Sequence, residues 1–455
     1  MSDPIVVVGG GITGLAAAHE ILRQGYEPIV LESSDRVGGK IKTSEFNNMP
    51  VDEGADAFLA RVPWGTDLVR ELGLEDQLVS PRGREARIFA NGSMHPLPKP
   101  NVLGIPLDPD TYDGDLLSER ALDDLRTDLA RAEADPVGGD ETLGSLLRQR
   151  VGDEVAERLV HPLLGAINAG DCDRLSAHAT SPQISSAAAA NPSLLNGLRA
   201  QTQHSDPDAP VFYSLPDGLG TIIDALSEEL SDHIRLASPV DSIVPKRKRL
   251  VVELAGGDEI RTPAAVLAVP AHAAAPIVQE WRRSREALDA IEFVSVVLVT
   301  LSYPADVVTT IPPGGSGFLV PHSEHPIITA CSWSSSKWEH LDDGNKVVVR
   351  VSLGHDGADA VINARDDDIL STVKLDLAET MDIREPPSSV RVSRWPRSFP
   401  QYTAGHLDRV ELIEEQLGAK NVFVAGASMR GIGIPACIRQ GRDAAKHALT
   451  SIVDG

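Results

Sequence analysis

The stretch that most constrains this chain runs from Val6 to Lys40: VVVGGGITGLAAAHEILRQGYEPIVLESSDRVGGK. Ile5 to Val8 is a short apolar run ended by Gly9, the pattern of a strand buried on both faces. Gly9, Gly11 and Gly14 then give GxGxxG. In such a turn the first glycine makes the bend, the second lets the backbone approach a pyrophosphate, and the third lets helix and strand pack closely. Gly10, Ile12 and Thr13 fill the same turn. Apolar spacing from Leu15 to Leu22 is helical, and Gly25 is placed to end the helix. PIVLE is a second strand, and Glu32 closes it eighteen residues beyond Gly14. A carboxylate there accepts hydrogen bonds from ribose hydroxyls and disfavours a 2′-phosphate, hence NADP. Strand, turn, helix, strand and acid in that order define a dinucleotide site. The glycines alone would not.

Composition narrows the partners. The 455 residues exceed one ordinary core, so two or three lobes are expected. A net charge of −24 opposes nucleic acid and anionic lipid as partners and suits a cytoplasmic protein. No apolar run is long enough to span a bilayer, and Gly9 and Gly11 already serve the first motif, so no leader is expected. Cys172, Cys331 and Cys437 are odd in number, far apart and without metal spacing, which favours a reducing compartment.

Further along, ARIFANGSMHPLP reads as a hairpin turning at Asn-Gly. Leu116 to Leu163 is helical and strongly charged, interrupted at EADPVGGDE. QTQHSDPDAPVF reads as a mobile polar loop, and SLPDGLGTIIDALSEEL as a glycine turn entering a helix. RLVVELAGGDEIRTPAAVLAVP reads as a hairpin and a third strand. Residues 291–302, 316–331 and 346–353 are strand-like and suit a second sheet. VFVAG is a last buried strand before the helix IPACIRQGRDAAKHAL.

SSDRVGGKIKT, following Glu32, resembles the second signature of the large flavoprotein oxidase superfamily, and VDEGADAF resembles the loop that passes its flavin ring. FAD is therefore the expected cofactor, held without a covalent bond. HPLLGAINAGDCDRLSA, ITACSWSSSKW, RWPRSFPQYTAGH and MRGIGIPACIRQG narrow the resemblance to the protoporphyrinogen and coproporphyrinogen oxidases of haem synthesis, nearest the soluble Gram-positive branch. It covers essentially the whole chain in order. Its implied reaction is six-electron oxidation of a porphyrinogen, coproporphyrinogen III before protoporphyrinogen IX, with dioxygen as acceptor and hydrogen peroxide as product. Flavin N5 carries the chemistry, so no catalytic side chain and no metal are expected. Transient contact with the ferrochelatase of the pathway is the implied protein partner.

The resemblance implies an α/β fold with a Rossmann-like FAD domain (1–60, 216–272, 396–455), a mixed-sheet substrate domain (61–97, 168–215, 273–395) and a helical lobe (98–167). That lobe takes the place of a membrane-facing lobe in membrane-bound relatives, and its acidity argues against insertion. Beyond the first turn, the implied cofactor residues are Glu32, Ser33, Lys40, Gly54, Ala55, Asp56, Ala57, Val240, Trp395, Gly426, Ile432, Gly433 and Ile434. The last two present N–H groups at a helix start, where negative charge on a reduced flavin is stabilised. Arg61 and Arg87 are the rim cations offered to propionates. Asn168 stands where close relatives carry an aromatic residue before AGD. The basic run Lys246–Arg249 reads as a solvated turn, His178, His272 and His322 as isolated histidines, and Cys437 as close to the flavin. A flavin amine oxidase, a carotenoid-type desaturase and a non-catalytic scaffold of the haem pathway remain alternatives. The first is weakened because ASMRGIGIPAC lacks the aromatic side chains that hold a neutral amine.

Overall fold

A computed structural model describes residues 3–133, 139–202, 209–247, 249–324, 327–357 and 360–453. The polar stretch 203–208, Lys248 of the basic run and residues 134–138 of the acidic break lie outside these.

Five parallel strands form the first sheet, in the order Ile234–Arg235, Pro28–Leu31, Ile5–Val8, Ala265–Leu267, Val422–Val424. Ile5 and Val7 enter one core with Leu15, Ile438 and Ala445, while Val6 and Val8 enter a second with Leu267, Val410 and Ile413. Helices cover both faces, which is why these strands read as unbroken apolar runs. The first helix (Ile12–Arg23) crosses the last (Ile434–Val453) so closely that a Cβ at Gly441 would clash with the Thr13 carbonyl.

The second sheet has seven strands, in the order Ser389–Pro400, Phe293–Pro304, Lys346–Leu353, Ile328–Ser332, Gly315–Leu319, Glu85–Ala90, Ser93–Pro96. All neighbours are antiparallel except Gly315–Leu319 with Glu85–Ala90. Val297, Val299, Val349 and Val351 bury one face against Ile369, Val373 and Leu377 of the Asp366–Met381 helix. The other face carries Arg350 and Trp395 toward the first sheet. The expected hairpin turns at Asn91 and Gly92, both at positive φ (52° and 72°).

Three structural features cross the expected divisions. The helical lobe's core runs from Val102 to Leu198, because Ile184, Ala187, Leu194 and Leu198 join Leu125, Leu147 and Leu164. The strand Ser389–Pro400 passes unbroken through the expected division at 395/396. The hairpin Thr43–Phe46 and Met49–Asp52 packs Phe46 and Val51 on Trp338 and Val348 beside the second sheet.

Candidate active site

The glycine turn is built as a cradle. Gly9 (φ +103°) donates its N–H to Leu31 O at 2.8 Å, and a Cβ there would lie 2.7 Å from Ala268 O. A Cβ at Gly14 would clash with Gly9 O, whereas one at Gly11 would meet nothing within 4 Å. That open space faces the N-terminus of the Ile12–Arg23 helix, which no side chain caps. Uncapped N–H groups behind an open glycine suit a phosphate. Glu32 Oε2 accepts from Gly10 N at 2.7 Å, and Oε1 accepts from Ser34 N at 2.8 Å and from Ser33 Oγ at 3.3 Å. Ser238 N donates to Glu32 O at 2.8 Å, which brings Val240 alongside.

The second glycine turn lies on the first. Gly38 N donates to Gly10 O at 2.8 Å, and a Cβ at Gly39 would stand 3.3 Å from Gly11 Cα. Arg36 fixes this turn by donating to Val37 O (3.0 Å) and Gly39 O (2.6 Å). Lys40 is exposed, yet the surrounding protein desolvates its ammonium and lowers its pKa. Its Nζ donates to Ser398 O, and it pairs with no carboxylate among the described residues.

Gly54 begins the loop expected beside the flavin. A Cβ there would clash with Lys40 O and lie 3.3 Å from the Trp395 ring, while Trp395 Nε1 donates to Glu53 O at 2.9 Å. Ala55 is exposed and Ala57 half-buried. Asp56 is committed elsewhere: its carboxylate meets Arg350 at 3.1 Å, Lys337 at 3.4 Å and Trp338 Nε1 at 3.4 Å. Burial would raise its pKa, but Arg350 and Lys337 outweigh it and hold the carboxyl well below the usual range. Arg350 also donates to Gly54 O at 2.9 Å, tying the second sheet to the loop. Neighbouring Asp52 goes the other way, pushed up to about 6 by burial, with the Thr43 hydroxyl opposing and the charge on Asp56 adding. A lone arginine in KVVVRVSL was the signal for this cluster, since a charge inside an apolar strand needs a partner.

The C-terminal loop supplies a second helix start. Gly426 (φ +118°) faces Thr13, and Ile432 and exposed Gly433 lead into Ile434. Tyr402 Oη donates to Ala427 O at 2.5 Å and accepts from Gly431 N at 2.9 Å. His406 stacks on Tyr402 at 4.0 Å and bonds Met429 O through Nε2 at 2.8 Å. Burial brings His406 down to about 4, which keeps it neutral. Sequence reasoning did not single out these braces. Burial raises the Cys437 thiol, so it is no thiolate.

The three expected substrate residues lie apart. Asn168 is buried, donates Nδ2 to Leu164 O at 2.8 Å and accepts Gln401 Nε2 on its backbone carbonyl at 3.1 Å. Its amide is spent on its own helix. Ala169 next to it packs with Val294, Val296, Trp395 and Phe399 as an apolar wall. Arg61 is exposed, 3.4 Å from Gln183 Oε1. Arg87 departs from expectation, because its register with Phe318 puts it on the Asp366–Met381 face, opposite Ile88. Its Nε is buried without a partner. Among the histidines, His178 is exposed and His322 meets His355 at a tilt, ring centres 4.4 Å apart. No group of side chains among the described residues could hold a metal.

The residues present fit FAD. The cradle is clear at Gly11, an uncapped helix start faces it, and Lys40 is a cation with no carboxylate partner among the described residues. A doubly wound nucleotide sheet joined this way to an apolar-walled second sheet defines a flavin-dependent oxidoreductase. The sequence pattern of the family described as flavin containing amine oxidoreductase matches residues 12–449. Coproporphyrinogen III oxidase of Bacillus subtilis (strain 168) is 33% identical over 463 residues, covering 98% of each chain. The enzyme of that name from Mycobacterium bovis is 32% identical, covering 98% of this chain and 97% of its own. A solved structure from Exiguobacterium sp. 255-15, described as a protoporphyrinogen oxidase, superposes with a TM-score of 0.88 at 30% identity, covering 100% of this chain and 99% of that one. The chain belongs to the flavin containing amine oxidoreductase family, in the branch of these porphyrinogen oxidases. No helix among the described residues is long and apolar enough to cross a membrane.

Proposed function

We propose that the chain oxidises coproporphyrinogen III to coproporphyrin III. Six electrons leave the substrate in three two-electron rounds, and three dioxygen molecules become three hydrogen peroxide. The observation that carries this reading is the 33% identity to the Bacillus subtilis coproporphyrinogen III oxidase across 98% of both chains. FAD, when bound, supplies the two-electron acceptor. The protein's own part is placement and exclusion of water. The wall of Ala169, Val294, Val296, Phe399 and Trp395 suits the apolar face of a macrocycle, and the Trp395–Glu53 bond sets it against the Gly54 loop. Exposed Arg61 is the cation we assign to a propionate. Pyrrole protons leave to water, driven by aromatisation.

The inferred setting is the cytoplasm, supported by three free, buried cysteines in a strongly acidic chain. Coproporphyrin would pass on by transient contact with the ferrochelatase of the same route. Anaerobic mixing with coproporphyrinogen III tests the reading. Bleaching of the flavin absorbance, with porphyrin fluorescence rising in step, is expected. An unbleached flavin in the presence of excess substrate would overturn it.

A further inference from the structure

Three basic groups converge beside the glycine turns, and none of them pairs with a carboxylate among the described residues. Lys40 follows Gly39, which touches Gly11. His272 follows the Ala268–Ala271 turn, whose Ala268 carbonyl abuts Gly9 and whose Ala271 N–H donates to Ser428 Oγ at 2.9 Å. The His272 ring meets Phe293 edge-on at 4.6 Å, and its Nδ1 is buried without a partner. Burial, then Arg397, then Lys40 lowers this imidazole to about 4, so all three groups share one field.

Arg397 is held there deliberately. It lies within a register slip between the Ser389–Pro400 and Phe293–Pro304 strands. Its φ is +45°, and its N–H donates to Ser295 Oγ at 3.0 Å. A bulge re-aims a side chain, and a left-handed non-glycine residue costs free energy that persists where function needs it. Its guanidinium is exposed and unpaired among the described residues, in a chain with 66 acidic side chains. An anion between Lys40 and Arg397 would offset both the strain and their mutual repulsion.

We propose that Arg397 joins Lys40 as counter-charge for the diphosphate of the bound dinucleotide, beside the neutral imidazole of His272. This rests on the FAD assignment and is independent of which porphyrinogen is oxidised. Lys40 follows the turn that touches Gly11 and donates to Ser398 O, one residue from Arg397, which favours the diphosphate over a substrate carboxylate.

The clean variant is Arg397→Gly, because glycine accepts the same φ without strain while the charge is lost. The full chain stripped of flavin is titrated with FAD and with riboflavin, which lacks phosphate, following flavin fluorescence. Arg397→Gly is expected to weaken FAD about tenfold, the loss of one charge-assisted contact. Riboflavin affinity should be unchanged, and the salt dependence of FAD binding shallower. Arg397→Lys should recover part of the affinity. An unchanged FAD affinity in Arg397→Gly overturns the proposal, as does an equal loss for riboflavin. Unchanged FAD affinity with a raised KM for coproporphyrinogen would reassign the cluster to the substrate's carboxylates.

Discussion

Asp52 and Asp56 stand on one loop and shift in opposite directions, and their pH windows separate accordingly. Asp52 is raised to about 6 from 3.8, so between those values the folded chain holds a proton that the unfolded chain has lost. Its contribution is therefore full below about pH 3.8 and lost as pH rises through 6, about 2–3 kcal/mol in all. Asp52→Asn should flatten that decline and leave the protein more stable than the parent at pH 7, read by urea midpoints across pH 4–7. Asp56 is lowered, so its contribution is present above the ordinary carboxylate pKa and lost in stronger acid. Removing one of its partners is costly: Arg350→Ala leaves Asp56 with Lys337 as its remaining cation and should cost about 1–3 kcal/mol. Asp56→Asn in the same background should recover much of that loss, and a double-mutant cycle by denaturation checks it. Without such recovery, the Arg350–Asp56 pair is not the origin of the cost.

The two helix starts are aligned by contact between the helices themselves. Gly441 lets the last helix reach the Thr13 carbonyl of the first. Gly441→Ala forces the pair apart and should cost about 1–3 kcal/mol, with a matching loss of FAD affinity. Tyr402→Phe removes the bonds to Ala427 O and Gly431 N and should cost about 1–3 kcal/mol. Its FAD affinity should fall as the loop loosens, measured by flavin release on heating. Retained affinity at lowered stability would make Tyr402 a packing residue only. The contrast shows what was legible in the sequence. The cradle from Gly9 to Glu32 is local, so turn chemistry and strand patterning announce it. Tyr402 reaches Ala427 across a helix and a strand, and no periodicity records that pairing. The extension of the helical lobe to Leu198 was hidden for another reason: PQISSAAAA buries mainly alanines and carries little amphipathic signal. The pleat that turns Arg87 away from Ile88's face depends on register with Phe318, which belongs to a distant strand.

At the scale of the molecule, two sheets meet along one loop. Gly54 lies against Lys40 and Trp395, and Arg350 reaches its carbonyl, so the Gly54 loop ties the nucleotide sheet's glycine turns to the second sheet. The family's whole-length match is consistent with such a tie, since neither sheet alone completes the site. In the proposed reading the oxidative chemistry belongs to the flavin, and choice of porphyrinogen to the apolar wall and Arg61. The most direct test compares coproporphyrinogen III with protoporphyrinogen IX under air, measuring kcat/KM by porphyrin fluorescence together with peroxide yield. The account predicts strong preference for the tetracarboxylate and three peroxides per porphyrin. Equal rates, or preference for protoporphyrinogen IX, would contradict it.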